Sequence, residues 1–138
     1  MKSNQEIGTF ILRIVLGITF FVHGFVKFQG GIDNTASWFQ TLGLPGFLAY
    51  AVGAIELIGG IALILGLGTR IISVLLVAIM LGAILMVKMA AGFLGNGQGA
   101  GIELDLILMA VALHLALNGS SLFALDSKLI NSKSRVEK

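Results

Sequence analysis

The chain has 138 residues, 57% of them hydrophobic and 12% charged, with a net charge of +2 and a mean hydropathy of +0.99. A water-soluble domain carries far more polar surface, so this composition places a single all-α domain in a membrane. The lack of cysteine excludes disulfides, thiol redox chemistry and iron–sulfur ligation by the chain itself. The small positive excess lies mostly at the C-terminus, which is a topology signal and no nucleic-acid footprint.

The first apolar run covers residues 7–28. Lys2 followed by apolar residues imitates a secretory signal, but Arg13 and His23 interrupt the run, and KFQGGIDNTA after it has no small-x-small cleavage site. It reads as a retained first span. Residues 33–42, DNTASWFQTL, open with helix-capping types and carry Trp38 and Phe39, which predicts a short helix at the headgroup level. Further spans follow at 47–65, 71–91 and 102–117, each near the length that crosses a bilayer. They are separated by Pro45–Gly46, by Gly66–Leu67–Gly68 and by the glycine-rich run at 95–101.

The organisation expected is a four-helix integral membrane bundle over residues 1–126 and a basic cytoplasmic tail over 127–138, disordered beyond its first turn. With both termini in the cytoplasm, the inner side holds Lys2, Arg70, Lys128, Lys133, Arg135 and Lys138, and the outer side only Lys27 and Lys88. Two spans end in a lysine, and each is followed by a helix bearing a glutamate, Glu56 or Glu103. That is a faint trace of internal duplication.

Charges within an apolar span need partners. Arg13, Lys27 and Lys88 balance Glu56, Glu103 and Asp105. On ideal helices Arg13 and His114 lie about 9 and 12 Å above the inner surface, Glu56 near 18 Å, and His23, Lys88, Glu103 and Lys27 between about 24 and 30 Å. Glu56 is therefore the expected partner of Arg13, with His114 beside them. His23, Lys27, Lys88 and Glu103 are expected to cluster at the outer surface. Glu103, Ile107, Ala110 and His114 form one stripe, which leaves Asp105 outside the ladder.

Simpler readings stand beside these. Lys27 and Lys88 can snorkel to headgroups, Glu103 and Asp105 can serve a helix dipole, and the two histidines can be neutral core residues. Glu56 lies too far from any helix end for such a reading. No spacing suits a metal, and two histidines offset by about 12 Å do not suit a haem.

The pattern R13-x3-G17-x2-F20-F21-x-H23-G24-x2-K27-F28, followed by GLPGF at 43–47, E56-L-x-G59-G60, G68-T69-R70, G101-I-E103-L-D105 and L125-D126, resembles the DoxX family over nearly the whole chain. One departure is Lys88, where similar sequences often carry histidine. The resemblance implies a four-helix protein of the cytoplasmic membrane, generally labelled an oxidoreductase. Its relatives include a subunit of archaeal thiosulfate:quinone oxidoreductase and members of membrane complexes answering thiol, quinone or catechol stress.

On that footing the function expected is a membrane subunit of a redox system. Arg13, His23 and Glu56 would act on a quinone or small aromatic covered by Phe20, Phe21 and Trp38, with Lys27, Lys88, Glu103 and His114 around it. No cofactor beyond a quinone is implied. The expected partners are the lipid bilayer and a soluble oxidoreductase; self-association stays open. Two other readings compete: a proton-coupled transporter using Glu56, and a non-catalytic anchor for soluble enzymes.

Overall fold

A computed structural model describes residues 3–136. It is all-α, with six helices: α1 (Asn4–Gln29), α2 (Ile32–Thr41), α3 (Phe47–Leu65), α4 (Thr69–Ala83), α5 (Ile102–Asn118) and α6 (Leu125–Val136). One π turn, Ile84–Lys88, and a 3-10 turn, Met89–Ala91, extend α4. α1, α3 and the extended α4 are long and apolar enough to cross a membrane. α5 has 17 residues, about 25 Å of helix, which is at the short end of the spanning range. The expected short helix between the first two spans is α2, with Trp38 exposed beside Phe39.

Two antiparallel pairs make the bundle. In the first, α1 and α3 touch backbone to backbone. A methyl group on Gly24 would fall 2.4 Å from the Leu57 nitrogen, and one on Gly60 would fall 2.4 Å from the Phe21 nitrogen. Glycine is what lets these helices approach, as in small-residue packing within membranes. In the second pair α5 runs back along α4. Leu16 and Phe20 of α1, Leu63 of α3, Leu76 and Met80 of α4, and Leu108, Ala112 and Leu115 of α5 join the pairs in one core. Isoleucine, valine and leucine side chains on the outer faces are exposed, as lipid contact requires.

α1 runs past the end of α3. Gly17 lies against Gly60 and Ile64, and the Arg13 guanidinium reaches Gly66, so roughly the first two turns of α1 extend beyond the α3–α4 turn. The chain after α5 fills the resulting step: Leu122 and Ala124 are buried there, and α6 starts from it. Instead of the tail expected to be disordered beyond its first turn, this segment is helical to Val136.

Candidate functional site

The step at the termini end is built around Arg13, which is completely buried. One terminal nitrogen donates to the Ser120 carbonyl at 3.0 Å and the Ser120 hydroxyl at 3.1 Å; the other donates to the Phe123 carbonyl at 3.3 Å. The guanidinium also lies 5.3 Å from the centre of the Phe10 ring, a cation–π contact. Phe123 adopts φ +49°, a left-handed conformation that is costly for a bulky residue, and its ring meets Phe10 edge-on at 5.5 Å. Arg13 thus holds a strained turn by its carbonyl.

Asp126 closes the other side. Its carboxylate accepts from the Gly68 amide at 2.7 Å, and its own amide donates to the Gly66 carbonyl at 3.2 Å. Gly66 and Gly68 are both left-handed, at φ 72° and 57°, so the tight turn needs glycine. Gly68 precedes α4 without a side-chain cap of its own, and the acid from the far end of the sequence supplies a negative charge at that helix start.

Beside this junction is an open cavity of about 600 Å³. The start of α1, the start of α4, the end of α5 and the start of α6 form its walls. Thr9, Thr69, Arg70, Asn118, Ser120 and Ile130 represent its mixed polar and apolar lining, which also includes Glu6 and Asp126. Glu6 is held by the Ser3 amide in a reciprocal capping box. The Thr9 hydroxyl is hydrogen bonded to His114 Nε2 at 3.1 Å, and the other ring nitrogen of His114 lies 3.3 Å from the Asn118 amide. The Thr69 hydroxyl is buried and has no partner. Arg70 reaches the Asn118 carbonyl at 3.4 Å.

The acids of the far half are paired differently from expectation. Glu56, 3% exposed, accepts from Lys27 at 2.5 Å, and Asp105, 5% exposed, pairs with Lys88 at 2.5 Å. The Arg13–Glu56 pair does not form. The glycine contacts set Glu56 near Gly24 and Arg13 near Gly66, ten residues or about 15 Å apart along α3. Counting each helix from the membrane surface misjudged this because α1 overshoots α3.

Lys88 selects Asp105 rather than Glu103. The buried stripe of α5 is Asp105, Leu108, Ala112 and Leu115, so the stripe expected through Glu103 and His114 is turned away from the core. The π turn at 84–88 further rotates Lys88 from its α-helical projection. The proposed outer cluster therefore resolves into two separate ion pairs, one in each antiparallel pair of helices. His23 is exposed and makes a 6.3 Å ring contact with Phe20. Phe20 is a core residue, Phe21 stacks on Phe25, and Trp38 is on α2 at the far end. Arg13, His23 and Glu56 are not brought together.

Thr9, Arg70, Asn118, Ser120 and Asp126 are site residues that spacing and charge in the sequence do not mark. Two signals existed: the sequence resemblance included G68-T69-R70 and L125-D126, and these meet Arg13 at one junction. Among the described residues no group of three or more histidine and acidic side chains could hold a metal ion.

Comparison with known proteins bears on the same elements. The DoxX family model matches residues 8–89, more than half of the chain. The chain belongs to the DoxX family. It is 47% identical over 133 residues to a Bacillus subtilis protein named "Putative oxidoreductase CatD", covering 96% of this chain and 95% of that one. It is 30% identical over 128 residues to an uncharacterized membrane protein, Rv3486, of Mycobacterium tuberculosis, covering 86% of this chain and 78% of the relative. To the inner membrane protein YqjF of Escherichia coli it is 33% identical over 70 residues, about half of each chain. No solved structure matches. This DoxX protein is thus a multi-pass membrane protein with an exact place for each buried charge.

Proposed function

We propose that this DoxX protein is the membrane subunit of an oxidoreductase, and that a quinone or a similar small aromatic carbonyl compound binds in the cavity at the termini end. The observation that carries the reading is the Thr9–His114 hydrogen bond, with Thr9 on the cavity wall and His114 bonded to it from behind. A volume near 600 Å³ is within the range of small-molecule sites. Ile71 and Ile130 offer apolar contact to a ring, while Arg70, Asn118 and Thr9 offer donors to its carbonyl oxygens. The name of the Bacillus subtilis relative supports the reaction class.

Reducing a quinone to a quinol takes up two electrons and two protons. In this reading the electrons come from a partner enzyme. Protons pass through Thr9 and His114, which relay between the cavity and the end of α5. Arg13 is a positioning residue here: its hydrogen bonds fix the 120–123 turn that forms one wall. In the far half Lys27–Glu56 ties α1 to α3, and Lys88–Asp105 ties the extended α4 to α5. The lysine and arginine balance supports a cytoplasmic termini end, with the cavity on the side where a soluble partner can reach it.

The reading is tested with purified protein in nanodiscs and ubiquinone-1 or menadione as the probe. Thermal stabilisation that saturates with quinone, and that Thr9→Val and His114→Leu abolish while the folded spectrum is kept, is the expected result. Equal stabilisation of both variants would move the site elsewhere, and no stabilisation at saturating quinone would refute it. Protonophore-sensitive substrate flux in proteoliposomes without quinone binding would favour a transporter.

A further inference from the structure

We propose that α6 is an interfacial helix that rests on the anionic lipid surface surrounding the termini end of the bundle. Its residues 128–135 are all exposed, with Leu129 at 58%. A helix of 12 residues, rich in serine and asparagine, does not hold its shape in water without a surface to bury one side. Beyond the first turn, where Asp126 and the Ser127 hydroxyl are bonded to the turns beneath, only Ile130 borders the protein, at the rim of the cavity.

The side chains name the surface. At about 100° per residue, Leu125 and Leu129 lie within about 40° of each other, with Lys128 and Arg135 about 80–100° to one side of their midline and Lys133 about 60° to the other. Asn131 and Ser134 occupy the opposite face. An apolar stripe bordered on both sides by basic residues is the arrangement of a helix lying in a headgroup layer, its lysines and arginine reaching phosphates while its leucines enter the acyl boundary. Phe123, 75% exposed in the turn just before α6, adds an aromatic at the same level.

Charge complementarity fixes anionic over zwitterionic lipid. Residues 127–138 hold four basic residues and one acid, a net +3, while residues 1–126 hold five and six, a net −1. The helix carries the whole positive excess of the chain to one rim of the bundle, where anionic headgroups attract it. This conclusion is independent of what the cavity binds.

The cysteine-free sequence makes the test direct. Single cysteines placed in turn at positions 128–134 of the full chain are spin-labelled in nanodiscs, and collisions with oxygen and with a water-soluble nickel chelate are measured. In discs containing phosphatidylglycerol, position 129 should be several-fold less accessible to nickel and more accessible to oxygen than positions 131 and 134. Neutralising Lys128, Lys133 and Arg135 with glutamine should weaken that contrast, as should discs of phosphatidylcholine alone. Uniform nickel access along α6 in anionic discs would overturn the proposal. Shielding of position 129 from both reagents would overturn it too, because the face would then be covered by protein.

Discussion

The Lys27–Glu56 pair makes an asymmetric prediction about stability. Glu56 is central in α3 and almost wholly buried, whereas Lys27 is in the last turn of α1 with its side chain 23% exposed. Lys27→Met strands a carboxylate inside the bundle, a change of the kind that costs about 3–5 kcal/mol. Glu56→Gln releases a lysine that can turn toward the far headgroups, so its cost is limited to the lost charge-assisted hydrogen bond, about 1.5–3 kcal/mol. The double variant removes both charges and should cost less than the sum of the two single losses, by a coupling of about 1–3 kcal/mol. Reversible unfolding in mixed micelles, followed by helical circular dichroism, measures all three. If Glu56→Gln costs as much as Lys27→Met, or if the two losses add, the ion pair does not carry the stability assigned to it.

In the other helix pair, Asp105→Asn should destabilise by about 2–4 kcal/mol while Glu103→Gln stays within about 0.5 kcal/mol, in the same unfolding assay. Arg13→Lys keeps the charge but loses the forked donation to two carbonyls, so it should reduce accumulation in membranes by the equivalent of about 2–3 kcal/mol; wild-type accumulation would contradict the clasp. Gly24→Ala and Gly60→Ala each drive a methyl group into the facing backbone and should cost about 1–3 kcal/mol or more. Gly8→Ala and Gly82→Ala meet nothing within 4 Å and should gain up to about 1 kcal/mol from helix propensity.

The helices and their order were legible because apolar runs interrupted by glycine and proline mark spans without any tertiary information. The pairing of charges was not, for two physical reasons. The axial offset between α1 and α3 is set by glycine contacts at positions 17, 24 and 60, which no ruler drawn from the membrane surface contains. On α5 apolar residues surround the helix nearly evenly, so its sequence does not say whether Glu103 or Asp105 faces inward; packing against α4 decides it. The trace of duplication was closer to the structure than the salt-bridge ladder, since each helix pair does carry one lysine–acid bond.

The junction at Arg13 illustrates a different limit. Arg13, Ser120, Phe123 and Asp126 are more than a hundred residues apart at the extremes, and polar groups such as Ser120 and Asn118 look like ordinary loop residues until the turn is folded. His114 could be recognised as a buried-depth histidine, but its partner Thr9 has no chemistry that draws attention in a sequence. Polarity alone predicts a disordered tail, while its leucine spacing and flanking lysines contain the helix that polarity hides.

The central claim, that the cavity at the termini end receives a quinone, is tested most directly by photo-crosslinking. An azido-quinone, irradiated with the protein in nanodiscs, should label peptides containing Thr9, Thr69–Arg70 or Asn118–Ser121, and unlabelled ubiquinone-1 should compete the labelling away. Labelling confined to the far half, around His23, Glu56 or Trp38, would contradict the account, as would labelling that excess quinone leaves unchanged.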